Sequence, residues 1–132
     1  MKRVVGIGGL FFKAKDPKKL AAWYQKHLGL PIDESFNGYA FNWSDDGVRP
    51  NKGYTLWSPF NEETDYLEPS NKDFMFNFIV DDLEALLGVL TSEGIEQKGD
   101  IELTEFGKFS WILDPEGNKV ELWEPVDVMS SE

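Results

Sequence analysis

The chain contains no cysteine and one histidine, His27, in 132 residues. Without cysteine there is no disulfide scaffold, no thiolate nucleophile and no Cys-ligated zinc or iron–sulfur site. A lone histidine leaves no Ser-His-Asp arrangement. Its place in a helical pattern just before Gly29 suits a partly exposed residue, favoured near a helix C-terminus by the dipole. Positive charge is also scarce, with 13 Lys+Arg against 24 Asp+Glu and a formal charge of −11. Such a surface repels both a duplex and an anionic bilayer, so neither nucleic acid nor membrane is an expected partner. The acidity is expected to serve solubility. No apolar run approaches the ~18–20 residues of a membrane span, and the run around Val4-Val5-Gly6 is too short for a signal peptide. A soluble, cytoplasmic protein is the expectation.

What is present suits a single folded domain: 41% of residues are hydrophobic and 14% aromatic, enough to bury a core at this length. Self-similarity organises the chain. Leu56-Trp57-Ser58-Pro59 matches Leu122-Trp123-Glu124-Pro125, Asp16 and Asp82 each open a helical pattern, and Gly29 and Gly94 stop them, all at nearly one displacement. Residues 36–41 resemble residues 106–111 in the same order. The chain therefore reads as a tandem duplication, with repeat one at 4–58, a linker at 59–72 and repeat two at 73–125.

Each repeat reads βαβββ. Residues 4–14 form the leading strand of the first. Asp16 caps the helix with Pro17 in its first turn, Leu20, Trp23, Tyr24 and Leu28 supply the apolar face, and Gly29 supplies the left-handed stop. Strands are expected near 32–36, 39–44 and 53–58. In the second repeat the leading strand is 74–80, and Asp81 with Glu84 makes a capping box. Leu83, Leu86, Leu87 and Leu90 give the stripe, and strands follow near 96–103, 108–113 and 119–124. Residues 114–118 are a turn in which Pro115 presets one φ and Gly117 permits a positive one. Gly6-x-Gly8-Gly9 is no nucleotide loop, because a strand and not a helix continues after it. The acidic segment 59–72, with Tyr66 and Leu67 embedded, reads as linker or lid, with linker the favoured reading.

Asp16, Leu20, Trp23, Tyr24, Leu28, Gly29 and Leu30, together with Asp114, Pro115, Gly117, Asn118, Glu121, Leu122 and Glu124, resemble the motifs of the glyoxalase/bleomycin-resistance/dioxygenase (vicinal oxygen chelate) superfamily. The resemblance spans about residues 4–125. It implies an α+β fold of tandem βαβββ repeats forming curved mixed sheets around a concave cleft, with helices on the convex side. It also implies a homodimer, with repeats paired within or between chains. These motifs are structural and speak to fold more than to reaction.

Strand parity then sorts side chains by face. With the terminal glutamate of the family in the cleft, Glu121 and Trp123 face it, and by the repeat so do Thr55 and Trp57. Tyr39, Phe41, Trp43, Phe109, Trp111 and Leu113 join them, while Tyr54 and Leu56 pack beneath the helices. Metal-dependent members resembling this fold place ligands at four positions, which map to Gly9, Thr55, Met75 and Glu121. One good ligand in four predicts no metal and no cofactor. The expected role is binding of a small hydrophobic, planar or cationic ligand by Tyr39, Phe41, Thr55, Trp57, Met75, Asn77, Phe109, Trp111 and Trp123. The alternative is a glyoxalase-type lyase or isomerase with Glu121 as base and a weakly held divalent metal. Equally open for Glu121 is a retained carboxylate that is hydrogen-bonded to Asn77, Lys119 or Tyr39.

Overall fold

Aspartate, proline and glycine set the helix limits before any packing is considered. A computed structural model describes residues 3–43 and 53–126. Strand β1 (Val4–Ala14) leads into helix α1 (Pro17–Leu28). The Asp16 side chain accepts from Lys19 N at 3.0 Å, Pro17 opens the first turn, and Gly29 ends the helix at φ 69°. Strands β2 (Tyr39–Asn42) and β3 (Tyr54–Asn61) complete the first half. The second half runs β4 (Phe74–Val80), α2 (Leu83–Ser92), β5 (Glu102–Thr104), β6 (Gly107–Leu113) and β7 (Lys119–Pro125). The α2 cap is Asp82, accepting from Ala85 N at 3.0 Å, so the capping box expected at Asp81 lies one residue too early.

Two expected strands contract. Around 32–36 the chain makes a turn closed by an Asp33–Gly38 bridge. The Asp33 carboxylate accepts from Ser35 N and Oγ at 2.9 and 2.7 Å, and such local bonds compete with a ladder. Of 96–103 only Glu102 and Leu103 are extended, within β5. Ser44, the end of the expected strand 39–44, lies outside the described residues.

The strands form one mixed sheet in the order β2-β3-β1-β4-β7-β6-β5. The halves meet within one chain, where β1 pairs antiparallel with β4. Both outer pairings of that central pair are parallel, β1 with β3 and β4 with β7. Helix α1 packs on β3 and β1, and α2 on β6 and β7. Alternation along the strands separates a helix face from a cleft face. Beneath α2, Val80, Val120 and Leu122 meet Leu83, Leu86 and Leu87. On the cleft face Phe11, Leu67, Met75 and Trp111 form one buried cluster, and Trp43, Ile79 and Trp123 another.

Strand β1 is irregular where it crosses the cleft floor, with a register shift between Ile7 and Gly9. The extra residue is Gly8. A Cβ there would sit 2.2 Å from Asn77 Oδ1 and 2.9 Å from both Ile79 and Trp123. Glycine is thus required by close approach of buried side chains, not by a turn. Gly8→Ala is expected to lower unfolding free energy by about 1–3 kcal/mol through overpacking, measured by urea denaturation; an unchanged midpoint would show that the floor can yield.

Candidate functional site

The site is built around the middle of β7. Its alternation sends Val120 and Leu122 under α2 and Glu121 to the other side, where the residue is 1% exposed. Three donors converge on its carboxylate. Asn77 Nδ2, from the neighbouring position on β4, donates to Oε1 at 2.6 Å. Trp111 Nε1, directly across on β6, donates to Oε2 at 2.8 Å. Tyr66 Oη, from the segment between the halves, also donates to Oε2 in a short bond. Burial raises the Glu121 carboxyl above the ordinary range, opposed by the hydrogen bonds from Tyr66, Asn77 and Trp111.

Tyr66 belongs to a strap that crosses one end of the cleft. Leu67 beside it is 1% exposed and packs into the cluster with Phe11, Met75 and Trp111. Lys119 Nζ donates to the Tyr66 carbonyl at 2.5 Å and lies 5.0 Å from the Tyr66 ring and 5.4 Å from that of Trp111. Burial lowers the Lys119 pKa, while Glu121 pulls the other way. The Tyr66 hydroxyl is held well above its ordinary pKa, first by burial and then by the Glu121 charge. Tyr66 therefore acts as a hydrogen-bond donor at neutral pH.

Next to this cluster opens a cavity of ≈ 420 Å³. Its walls are apolar, chiefly Phe11, Tyr54, Leu56, Phe60, Phe109 and Trp123, and its polar lining includes Asn77, Tyr66 and Glu121. Ring contacts fix the walls: Phe109 stacks on Trp123 at 5.7 Å, Tyr54 meets Trp123 edge-on at 4.9 Å, and Phe11 stacks on Phe60 at 5.2 Å. Such pairs contribute ~0.5–1.5 kcal/mol each beyond burial.

Of the residues expected in the cleft, Asn77, Phe109, Glu121 and Trp123 line the cavity. Trp111 and Met75 lie on the same face but are packed under the strap. Thr55 and Trp57 point the other way: Trp57 packs against Tyr24 of α1 at 4.6 Å, and Thr55 Oγ1 donates to Ile7 O at 2.6 Å. Tyr39 and Phe41 stand opposite Trp57 and Thr55 in the β2–β3 ladder and share their face. The physical reason is a slip of one residue between the repeats. In space Gly9 pairs with Leu56 as Asn77 pairs with Glu121, so Leu56 and not Thr55 is the counterpart of Glu121. A one-residue slip turns every side chain over, which brings Tyr54 and Leu56 into the cleft. Trp43, also expected in the cleft, is buried against Ile79 and Trp123, with its Nε1 donating to Thr55 Oγ1 at 2.9 Å. Sequence reasoning also missed Tyr66, whose mark in the sequence was its place beside Leu67 inside an acidic segment.

The corrected set of four equivalent positions is Gly9, Leu56, Asn77 and Glu121. It offers one carboxylate and one amide, and both carboxylate oxygens already accept N–H or O–H bonds. A divalent ion does not fit this donor set. Among the described residues no group of three or more His, Asp or Glu side chains converges elsewhere.

The family described as glyoxalase-like domain matches residues 9–123. No curated protein matches the chain. Among solved structures, methylmalonyl-CoA epimerase from Mycobacterium tuberculosis is similar at TM-score 0.64 and 18% identity, covering 100% of this chain and 95% of that one. A variant of Streptomyces coelicolor methylmalonyl-CoA epimerase, in complex with 2-nitronate-propionyl-CoA, gives 0.63 and 14%, covering 93% and 99%. A glyoxalase/bleomycin resistance protein/dioxygenase superfamily member from Vibrio splendidus 12B01 gives 0.54 and 12%, covering 87% and 95%. At these identities the likeness is one of fold.

Asn77 can serve either charge state of Glu121. Its Oδ1 is buried without a partner, so a flipped amide would accept from a protonated carboxyl. The same flip would accommodate Glu121→Gln. Because the folded pKa is raised, the folded state holds the proton more tightly than the unfolded chain. That contribution is complete below the unfolded carboxyl pKa and is lost as pH rises through the raised one. Relative to Glu121→Gln, the wild type is expected to lose stability as pH climbs above the ordinary carboxyl range of about 4, followed by denaturant unfolding. A stability difference that stays flat from acid to mildly alkaline pH would show the carboxyl to be unshifted.

Proposed function

We propose, from the premise that this chain belongs to the glyoxalase-like domain family, that it is a metal-free small-molecule-binding member acting as a homodimer. The observation that carries this reading is the cavity of ≈ 420 Å³ walled by aromatic and aliphatic side chains, with a single carboxyl in its lining. Its volume lies in the ~300–1,000 Å³ range of small-molecule sites, which are mostly apolar with a few placed polar groups. The fitting ligand has a planar or amphiphilic apolar body and one hydrogen-bond donor or cationic group. The body stacks among Tyr54, Phe109 and Trp123, and the donor approaches Glu121 Oε1, which takes only the Asn77 bond among the described residues. The donor set at the four equivalent positions supports function without a metal.

A second reading, an isomerase or lyase with Glu121 as base, is favoured by the raised carboxyl at the cavity wall. Against it, Oε2 is engaged by two donors and the carboxylate is held as part of the packing. The two readings separate on Glu121→Gln. Binding alone predicts a weaker ligand grip with no turnover in either protein, whereas catalysis predicts lost turnover with binding retained.

Titration of intrinsic tryptophan fluorescence with a panel of planar hydrophobic amines and their neutral analogues is expected to report saturable binding. Leu56→Trp, which fills the cavity, is expected to weaken it at least about tenfold. Equal binding by this variant would remove the cavity from the account. Metal analysis after dialysis is expected to find only substoichiometric zinc, nickel or manganese, and one firmly held equivalent would overturn the metal-free reading.

A further inference from the structure

Strand register sets the parts of the cavity at three levels along the sheet. At the middle level Gly9 of β1 stands opposite Asn77 of β4, with Leu56 beside the one and Glu121 beside the other. These are the equivalent positions of the two repeats, so the pseudo-two-fold axis relating the repeats passes between Gly9 and Asn77. The hydrogen-bonded pair Asn77–Glu121 therefore lines the cavity at its waist and not at an end. Towards the C-terminal end of β1 lies the stacked pair Phe11–Phe60, and towards the C-terminal end of β7 the stacked pair Phe109–Trp123. One more ring lines each end: Phe36, from the turn before β2, beside the first pair, and Phe106, from the turn before β6, beside the second. From the level of Phe11, opposite Met75, to that of Trp123, beside Ile79, is four residues of β4, or ~13 Å at ~3.3 Å per residue. Asn77 is midway.

We infer that the ligand carries two apolar arms, one on each side of a central N–H donor, with the arms in the two ring-walled ends and the donor on Glu121 at the waist. This class rests on the small-molecule reading proposed above and narrows it to a secondary amine set between two aryl groups. The placement of polar atoms selects it. The Ser35 hydroxyl at the Phe36 end is spent on Asp33 at 2.7 Å, and the Tyr66 hydroxyl is spent on Glu121. Glu121 Oε1, with the Asn77 bond alone among the described residues, is left to take a donor. A ligand with its nitrogen at one tip can satisfy Oε1 only by filling one end, which leaves the other ring pair facing water. A nitrogen between two arms meets Oε1 while both ends fill. It also shuts water out on both sides of the contact, which strengthens a charged hydrogen bond. Length matches as well, since two phenyl rings joined through a C–N–C link extend over about the span between the ring pairs.

The test sets two isomers against each other by calorimetric titration of the whole chain. Dibenzylamine holds its nitrogen between its rings, whereas 4-benzylbenzylamine has the same atoms with the nitrogen at one tip. Dibenzylamine is expected to bind at least about tenfold more tightly than this isomer, and at least about tenfold more tightly than dibenzyl ether, which keeps the shape without the donor. Phe36→Ala and Phe106→Ala, which cut back the wall at one end each, are each expected to weaken dibenzylamine at least about threefold. Equal affinity for the two isomers overturns the central donor, and dibenzyl ether binding as tightly as the amine overturns the contact with Glu121. Either alanine variant binding dibenzylamine like the wild type overturns the arm at that end and the two-armed ligand with it. If planar hydrophobic amines bind and dibenzylamine does not, the two-armed class alone is overturned. If no amine binds, the small-molecule reading and this ligand class fall together.

Discussion

One buried carboxyl ties its two neighbouring strands and the strap between the repeats together through side chains. Glu121 on β7 takes hydrogen bonds from β4 through Asn77, from β6 through Trp111 and from the strap through Tyr66. Isolated, such a group would be costly to bury. Three neutral donors offset much of that cost, and in return the carboxyl satisfies an indole N–H and a phenol O–H that would otherwise be orphaned in the core. The strap therefore stays over the cleft for polar reasons as well as through Leu67. Losing the carboxyl without a polar replacement would leave unsatisfied donors on three different elements, more than the deletion of one contact.

The helices were legible because their limits are local. Asp16, Pro17 and Gly29 act within four residues of themselves, and the structure uses each as the sequence suggests. The family motifs were legible for the same reason, being made of caps, turns and helix-packing residues. The cleft was half legible. In the second repeat the family glutamate anchored the parity, and Asn77, Phe109, Glu121 and Trp123 came out on the cavity side. In the first repeat parity was carried across by matching Leu56-Trp57 to Leu122-Trp123. Pairing in space aligns Leu56 with Glu121 instead, and strands forgive no odd shift. Tyr66 was illegible for a different reason: nothing local says that a loop tyrosine will reach a carboxyl 55 residues away.

The same slip shows what stands at the four equivalent positions. Of four equivalent positions one is a glycine whose space the Phe11 ring fills, one is Leu56, and one is an amide that binds the fourth. None of these three positions carries a second carboxylate; they supply apolar wall or packing instead. Glycine is used twice in succession on β1, once for Phe11 of the same strand and once for Asn77 of β4, so side chains of both strands seal the floor. A carboxyl left alone in such a setting is tuned toward neutrality by burial, and its partner amide is poised to accept as well as donate.

An aromatic cleft that remains open also places a demand on the chain. Each wall ring exposed to water forfeits burial worth ~25 cal/mol per Å², and the simplest remedy would be collapse. Here collapse is prevented by the walls' own contacts: Trp123 is held between Phe109 and Tyr54, Phe11 against Phe60, and the Trp123 Nε1 donates to Phe106 O at 2.8 Å. These ring pairs hold one another at contact distance and oppose closure of the hollow. A rigid apolar hollow next to a satisfied polar cluster loses little conformational entropy when filled, and that preorganisation favours an occupant entering over the protein closing on itself.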